Sequence, residues 1–171
     1  SSAASDVYKR QYQGEKLRPV ITYNYDNEHI TPYSFDVELD DNRMKAEYAL
    51  SHQSAIYRIT YEADKPAYLI VNSRNGSIHA NENFISGRQQ LNDNTNVYVY
   101  IEAQEKPISA GILENGTIET SKDNAEGANA CAAWRFADGT TTVNLRYGIS
   151  FISEEQAEKN LHRELKDYNI K

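Results

Sequence analysis

The feature that most limits the fold is a run near the C-terminal end with apolar side chains at every second position. Val143, Leu145, Tyr147, Ile149 and Phe151 alternate with Asn144, Arg146, Gly148 and Ser150. Successive side chains of a strand point to opposite faces, so the run has one apolar and one polar face. A helix would scatter the same residues around its circumference. The period of two recurs along the chain. Tyr33, Phe35, Val37 and Leu39 alternate with Ser34, Asp36 and Glu38. Met44, Ala46, Tyr48 and Leu50 repeat it, as do Ala55, Tyr57, Ile59 and Tyr61. Val97, Val99, Ile101 and Ala103 oppose Tyr98, Tyr100 and Glu102, and Ala130, Ala132, Trp134 and Phe136 form another stripe. Residues 67–71 (AYLIV) are apolar on both faces, which predicts a central strand. Composition agrees. Val, Ile and Thr together occur 30 times against 10 for Leu plus Met, and there are 13 tyrosines. Such residues suit a pleated, half-buried surface.

Turn formers fall between the stripes. Asp40-Asp41-Asn42 links two of them. Asn75-Gly76, Asn115-Gly116 and Asp138-Gly139 predict hairpin turns, because a type I′ turn needs positive φ at both central residues. Residues 119–129 (ETSKDNAEGAN) are polar and patternless, which predicts a surface loop. Short strands with tight turns predict an all-β fold, an antiparallel β-sandwich.

The two ends differ from the middle. Residues 1–11 have no strand period and no core residues, and are read as a leader foreign to the domain. Residues 12–152 are read as the sandwich, incomplete at its N-terminus. Residues 153–171 are read as a C-terminal linker helix. Ser153-Glu154-Glu155-Gln156 is a capping box: the Ser153 hydroxyl can accept the Gln156 N–H, and the Gln156 side chain can reach back to Ser153. Ala157, Leu161 and Leu165 then form a narrow stripe at spacing four, suited to docking by one edge.

Most chemistries find no foothold. A net charge of −7 (18 basic against 25 acidic residues) is the wrong sign for nucleic acid or an anionic membrane. No apolar run is long enough for a membrane span. Cys131, the only cysteine, sits among alanines and reads as a small core residue. His29, His52, His79 and His162 lack metal-ligand spacing and read as surface histidines, so no metal site is expected. No nucleophile elbow or phosphate loop occurs. Two glycosylation sequons, Asn75-Gly76-Ser77 and Asn115-Gly116-Thr117, coincide with the predicted turns, which account for them. Tyr23, Tyr25, Tyr33, Tyr98, Tyr100 and Trp134 could stack on sugars, but strand spacing equally makes them packing residues. Glu28, in the loop-like Tyr25-Asp26-Asn27-Glu28, could serve a site or bond the amides of its own turn.

Three stretches carry a resemblance. Residues 25–40 (YDNEHITPYSFDVELD) are similar to a family pattern of Ser-His-x-Asn-Glu, a spacer, Pro-Gly-Tyr-Tyr and a strand, with the glycine before Tyr33 absent. Ala46-Glu47 through Ala55-Ile56-Tyr57-Arg58-Ile59-Thr60-Tyr61 resembles a second stretch. Arg146-Tyr147-Gly148-Ile149-Ser150-Phe151-Ile152-Ser153, with Gln156-Ala157, Asn160-Leu161 and Glu164, resembles a strand and helix where a β domain meets a catalytic one. Together they resemble the N-terminal domain of glycoside hydrolase family 92, the α-mannosidases, in a branch common in gut Bacteroidota.

The resemblance implies a parent enzyme that is exo-acting, inverting and calcium-dependent, acting on mannose-containing glycans at the cell surface, in the periplasm or outside the cell. It implies that the acid, the base and the calcium ligands lie in an α/α-barrel domain following Lys171. No catalytic, cofactor or metal residue is therefore carried onto this chain. The implied role is to pack on that barrel in cis and shape its cleft, with Glu28, His29, Ala157, Leu161 and Leu165 as candidate interface residues. The alternative is a free-standing carbohydrate-binding β-sandwich.

Overall fold

The computed structural model describes residues 18–23, 33–38, 54–61, 63–64, 66–92 and 94–168, the first two stretches as backbone alone. The expected strand at Met44–Leu50, the leader at 1–11, the Asp40-Asp41-Asn42 link and Glu28 and His29 lie outside them. Ten strands are seen: β1 (Arg18–Tyr23), β2 (Tyr33–Glu38), β3 (Ser54–Thr60), β4 (Tyr68–Ala80), β5 (Ile85–Asn92), β6 (Thr95–Ala103), β7 (Ser109–Glu114), β8 (Thr117–Glu119), β9 (Asn124–Arg135) and β10 (Thr142–Ser150). Among the described residues one helix follows, α1 (Glu154–Glu164). The expected all-β fold with a C-terminal helix is what forms.

Hydrogen bonds join the strands in the order β3-β10-β6-β5-β4-β9-β7-β8, with β2 on the free side of β4 and β1 beyond it. The inward side chains of β3, β4, β6, β9 and β10 meet in one core around Trp134, Phe136, Leu69, Leu145 and Ile149. The stripes read from the sequence at Val97–Ile101, Ala130–Phe136 and Val143–Ile149 all face this core. β2 departs from the antiparallel rule by running parallel to β4, with Tyr33 beside Leu69 and Asp36 beside Asn72. The site is open to it because β5 pairs with β4 only from Gly76 onward.

Asn75-Gly76 is not a hairpin. It lies inside the 13-residue strand β4, at the switch of neighbour from β2 to β5. Asn75 takes the left-handed conformation (φ 50), and the alternation of β4 slips by one position there. Leu69, Val71 and Ser73 point inward before it, and Gly76, Ile78 and Ala80 after it. A strand that kept its phase would turn its second apolar set to solvent. Glycine is required at 76 because a Cβ would fall onto the Arg88 carbonyl oxygen. β9 slips at the same level: Ala130, Ala132 and Trp134 face inward, Gly127 has φ 142, and Ala125 packs on the core opposite Ile78.

One further turn reading and the loop reading need correction. Asn115-Gly116 is the expected hairpin, with φ of 53 and 77 between β7 and β8. Asp138-Gly139 is a turn, with Gly139 at φ 85, but it joins β9 to β10, which are not neighbours. Residues 124–129 of the predicted loop are strand. Their backbone pairs with Arg74–His79, and most of their side chains stay exposed, so no apolar pattern marks them.

Helix α1 packs on the outer face of the sheet, over β10 and β6. Ala157 and Leu161 are fully buried there against Tyr100, with Leu165 packed alongside. Gly148 makes the close approach possible, because the Ala157 carbonyl oxygen occupies the space a Cβ would fill. Polar ties hold both ends: Ser86 Oγ donates to Glu154 at 3.1 Å, and Ser54 Oγ donates to Glu164 at 2.7 Å. Between them the buried Asn160 amide donates to the Ile149 carbonyl at 2.9 Å. Half of the capping box forms. Ser153 Oγ accepts the Gln156 N–H at 3.0 Å, while the Gln156 side chain turns forward to Asn160 instead of back. Ser153→Ala is expected to cost about 1 kcal/mol of stability, read by urea unfolding. A wild-type midpoint would show that the cap contributes nothing.

Candidate functional site

The outer face is covered by α1 at one end only. Beyond the start of the helix lies an open cleft of about 610 Å³, floored by the second half of β4 and the first residues of β9. Strand register builds it. Across β9, β4, β5 and β6, the residues Asn124, His79, Ser86 and Tyr100 stand side by side in one row. Glu126 and Ser77 stand together in the next row. Tyr100 lies under the helix, and the other five line the cleft with Phe84 and Glu154.

The His79 ring is held from several sides. Its Nδ1 lies 2.9 Å from Asn124 Oδ1, and its Nε2 lies 3.4 Å from Asn81 Nδ2. A carboxamide oxygen accepts and a carboxamide nitrogen donates, so these contacts suit the tautomer with its proton on Nδ1 and its lone pair on Nε2. Asn81 is itself fixed, because its Oδ1 accepts the N–H groups of Asn83 and Phe84 at 2.8 and 2.9 Å. Below, Trp134 Nε1 donates to the Asn81 carbonyl at 2.7 Å, which ties the cleft wall to the core. The His79 ring centroid is 5.4 Å from Phe84, and Phe84 stacks on Tyr100 at 4.9 Å. Tyr100 meets the edge of His162 at 6.1 Å. A line of four rings thus runs from the helix to the cleft.

Charge under the helix is paired. Arg146 donates to Glu102 at 2.9 Å and covers the Tyr168 ring at 4.5 Å. His162 Nε2 lies 2.9 Å from the second Glu102 oxygen. Burial, reinforced by the Glu102 and Glu158 carboxylates, pushes the Tyr100 hydroxyl above the ordinary phenol range, so it stays protonated. Burial also raises the Tyr168 hydroxyl, against the opposing pull of Arg146.

The residues singled out from sequence lie elsewhere. Trp134 is core and Tyr100 is under the helix, so neither offers a stacking platform; Tyr98 is half-buried beside the helix. Only the backbone of Tyr23 and Tyr33 is described, and Tyr25 lies outside the described residues. Ala157, Leu161 and Leu165 are engaged with this chain's own sheet. Cys131 is not a core residue. It is half-buried on the opposite side of β9 from Ala130 and Ala132, with its Sγ 3.1 Å from Asn72 Oδ1. Among the described residues no group of three or more His, Cys, Asp or Glu could hold a metal ion, and no helix is long and apolar enough to cross a membrane. The cleft itself was missed. His79 and Asn124 are 45 residues apart, and only the pairing of β4 with a strand read as loop brings them together.

Several known structures share this fold. One is an inverting mannosidase of family GH92 from Bacteroides thetaiotaomicron VPI-5482. It matches 67% of this chain with a TM-score of 0.57 at 23% identity, over 17% of its own length. A GH92 alpha-mannosidase from Bacteroides thetaiotaomicron matches 65% of the chain with a TM-score of 0.54 at 19% identity, over 18% of its own. A GH92 family glycosyl hydrolase, ccman5, matches 70% with a TM-score of 0.57 at 16% identity, again over 18% of its own. At these identities the likeness is one of fold, and the chain spans less than a fifth of each of these proteins. No curated protein matches it. The model of the glycosyl hydrolase family 92 N-terminal domain matches residues 3–150, taking in most of the opening eleven residues and all ten strands. With that match over most of its length, the chain belongs to glycosyl hydrolase family 92, as the N-terminal domain.

Proposed function

We propose that this chain is the N-terminal β domain of an exo-acting α-mannosidase, packing on a larger catalytic domain and shaping its cleft without being catalytic alone. The observation that carries this reading is the family match over residues 3–150, joined to a fold shared with mannosidases several times longer. The outer face supports it from the chemical side. It offers fixed hydrogen-bonding groups beside an open cleft. Hydrolysis with inversion needs an acid and a base placed across a bound sugar, and that pair is assigned to the larger domain.

The coding sequence downstream of Lys171 tests the reading most directly. It is expected to continue into an α-helical domain of several hundred residues. A stop codon directly after Lys171 would overturn the proposal. A second expected result is that the purified 171-residue chain releases no mannose from α-mannobiose, with or without calcium. Turnover that survives repurification would show that the chain carries its own catalytic pair.

A further inference from the structure

We propose that Asn115 is a covalent modification site: its side chain cyclises onto the Gly116 nitrogen and reopens as isoaspartate, which loosens the edge of the sheet. The Gly116 backbone nitrogen gives its proton to solvent hydroxide and attacks the Asn115 side-chain carbonyl carbon. A C–N bond forms, ammonia leaves with a proton from water, and a five-membered succinimide remains. Water then adds to either ring carbonyl and breaks one C–N bond. One opening yields aspartate. The other yields isoaspartate, with the main chain now running through the side-chain carbon. Nothing is oxidised or reduced, and water is the only co-reactant.

Glycine favours the step, because no Cβ crowds the attacking nitrogen. The chain has two Asn-Gly pairs, at 75–76 and 115–116, each followed by a hydroxyl residue. The fold separates them. Gly76 lies inside β4, opposite Gln89 of β5 and Gly127 of β9, and a Cβ there would fall onto the Arg88 carbonyl oxygen. A succinimide has no room at that point unless the strands part. Asn115 and Gly116 are both exposed, at the tip of the β7–β8 hairpin. Nothing lies within 4 Å of the position of a Gly116 Cβ. Ring closure brings the Asn115 side-chain carbon to the Gly116 nitrogen, so the turn must open first. That opening is local, since β8 is three residues long and ends the sheet. Opening a tip costs far less than opening a strand paired on both sides. Asp138-Gly139 is a turn too, but its carboxylate is a poor electrophile and pairs with Arg135 at 3.2 Å.

The product changes the hairpin. Isoaspartate adds one atom to the main chain and one negative charge. A two-residue turn then no longer holds Glu114 opposite Thr117 in register. β8 frays, and that side of β7 becomes an unpaired sheet edge.

The test is peptide mapping by mass spectrometry of the 171-residue chain, aged in warm, mildly alkaline buffer with and without urea. In the native chain Asn115 is expected to convert at least about tenfold faster than Asn75, equal to about 1.4 kcal/mol of barrier. In urea the two should convert at similar rates, which verifies that the fold sets the difference. Isoaspartate at 115 should be detected by methylation with an isoaspartyl methyltransferase. Hydrogen exchange of the aged chain should show amides 117–119 losing protection. Asn115→Gly tolerates the positive φ and cannot cyclise, so its amides should keep their protection on ageing. Equal conversion of both sites in the native chain would overturn the proposal. So would conversion of Asn115 in urea alone, or converted chains with full protection at 117–119.

Discussion

Trp134→Ala is expected to lower the unfolding free energy by about 4 kcal/mol, near the upper end for one core truncation. Trp134 is 0% exposed and is among the largest side chains of the core. Its indole meets Phe136 edge-on at a centroid distance of 6.2 Å. Alanine would leave a cavity that strands held on both sides cannot easily close. Trp134 pairs with Leu69 of β4 on one side and Ala110 of β7 on the other. A second loss comes with the first, because the Asn81 carbonyl would lose its indole donor. Trp134→Phe separates the two. It keeps much of the volume but removes the N–H, and should cost about 2 kcal/mol. Urea unfolding followed by far-UV circular dichroism gives both values. Equal losses for the two variants would mean that cavity volume contributes nothing beyond the hydrogen bond. The phenylalanine variant should also loosen the cleft wall, visible as faster amide exchange at Asn83 and Phe84.

Gly148→Val is expected to cost about 3 kcal/mol and to lift helix α1 from the sheet. The space a Cβ would need is taken by the Ala157 carbonyl oxygen, with the Leu161 Cβ at 2.9 Å. Neither can retreat alone. Ala157 and Leu161 are the helix residues buried on Tyr100, and the ties from Ser54 and Ser86 hold both helix ends. The helix must therefore tilt or detach as a body, exposing Tyr100. Hydrogen exchange should show amides 157–164 losing protection while strand β10 keeps its own. A variant with wild-type protection along α1 would refute the close-approach account. Gly148→Ala should give the same change at smaller amplitude.

The sequence reading succeeded where burial is one-sided. Val143 to Ile149 and Ala130 to Phe136 alternate because one face meets the core and the other does not, and that contrast can be read locally. It failed where pairing is long-range. β5 (ISGRQQLN) carries few apolar residues, yet Ser86 and Gln89 are buried, because strands on both sides and the helix above cover it. The first half of β9 is strand because β4 offers it a partner, which no property of residues 124–129 announces. Asn75-Gly76 was misread for a related reason. Positive φ suits a tight turn and an in-strand slip equally, and only the presence of β5 separates them. Cys131 was misplaced because the adjacent Ala132 and Ala133 point to opposite faces and both are buried, so an alanine-rich run has no readable inside. The helix stripe was legible, including its narrowness, and of the two covers it allowed, this sandwich or a following domain, the described contacts show the first.

The shared slip of β4 and β9 limits how this domain can vary in length. The register of the pairing is the same on both sides of the slip, with Arg74 opposite Asn129 and Gly76 opposite Gly127. Deleting one residue from β4 near Asn75 would remove its slip and keep Ile78 and Ala80 facing inward. But β9 would keep its own slip, so beyond Gly76 the two strands would lose their register and Ala125 would no longer meet Ile78. The loss could be repaired only by removing one residue from β9 at the same level. Viable length changes at this point should therefore come as matched pairs some fifty residues apart, so that the two strands behave as one unit under insertion and deletion.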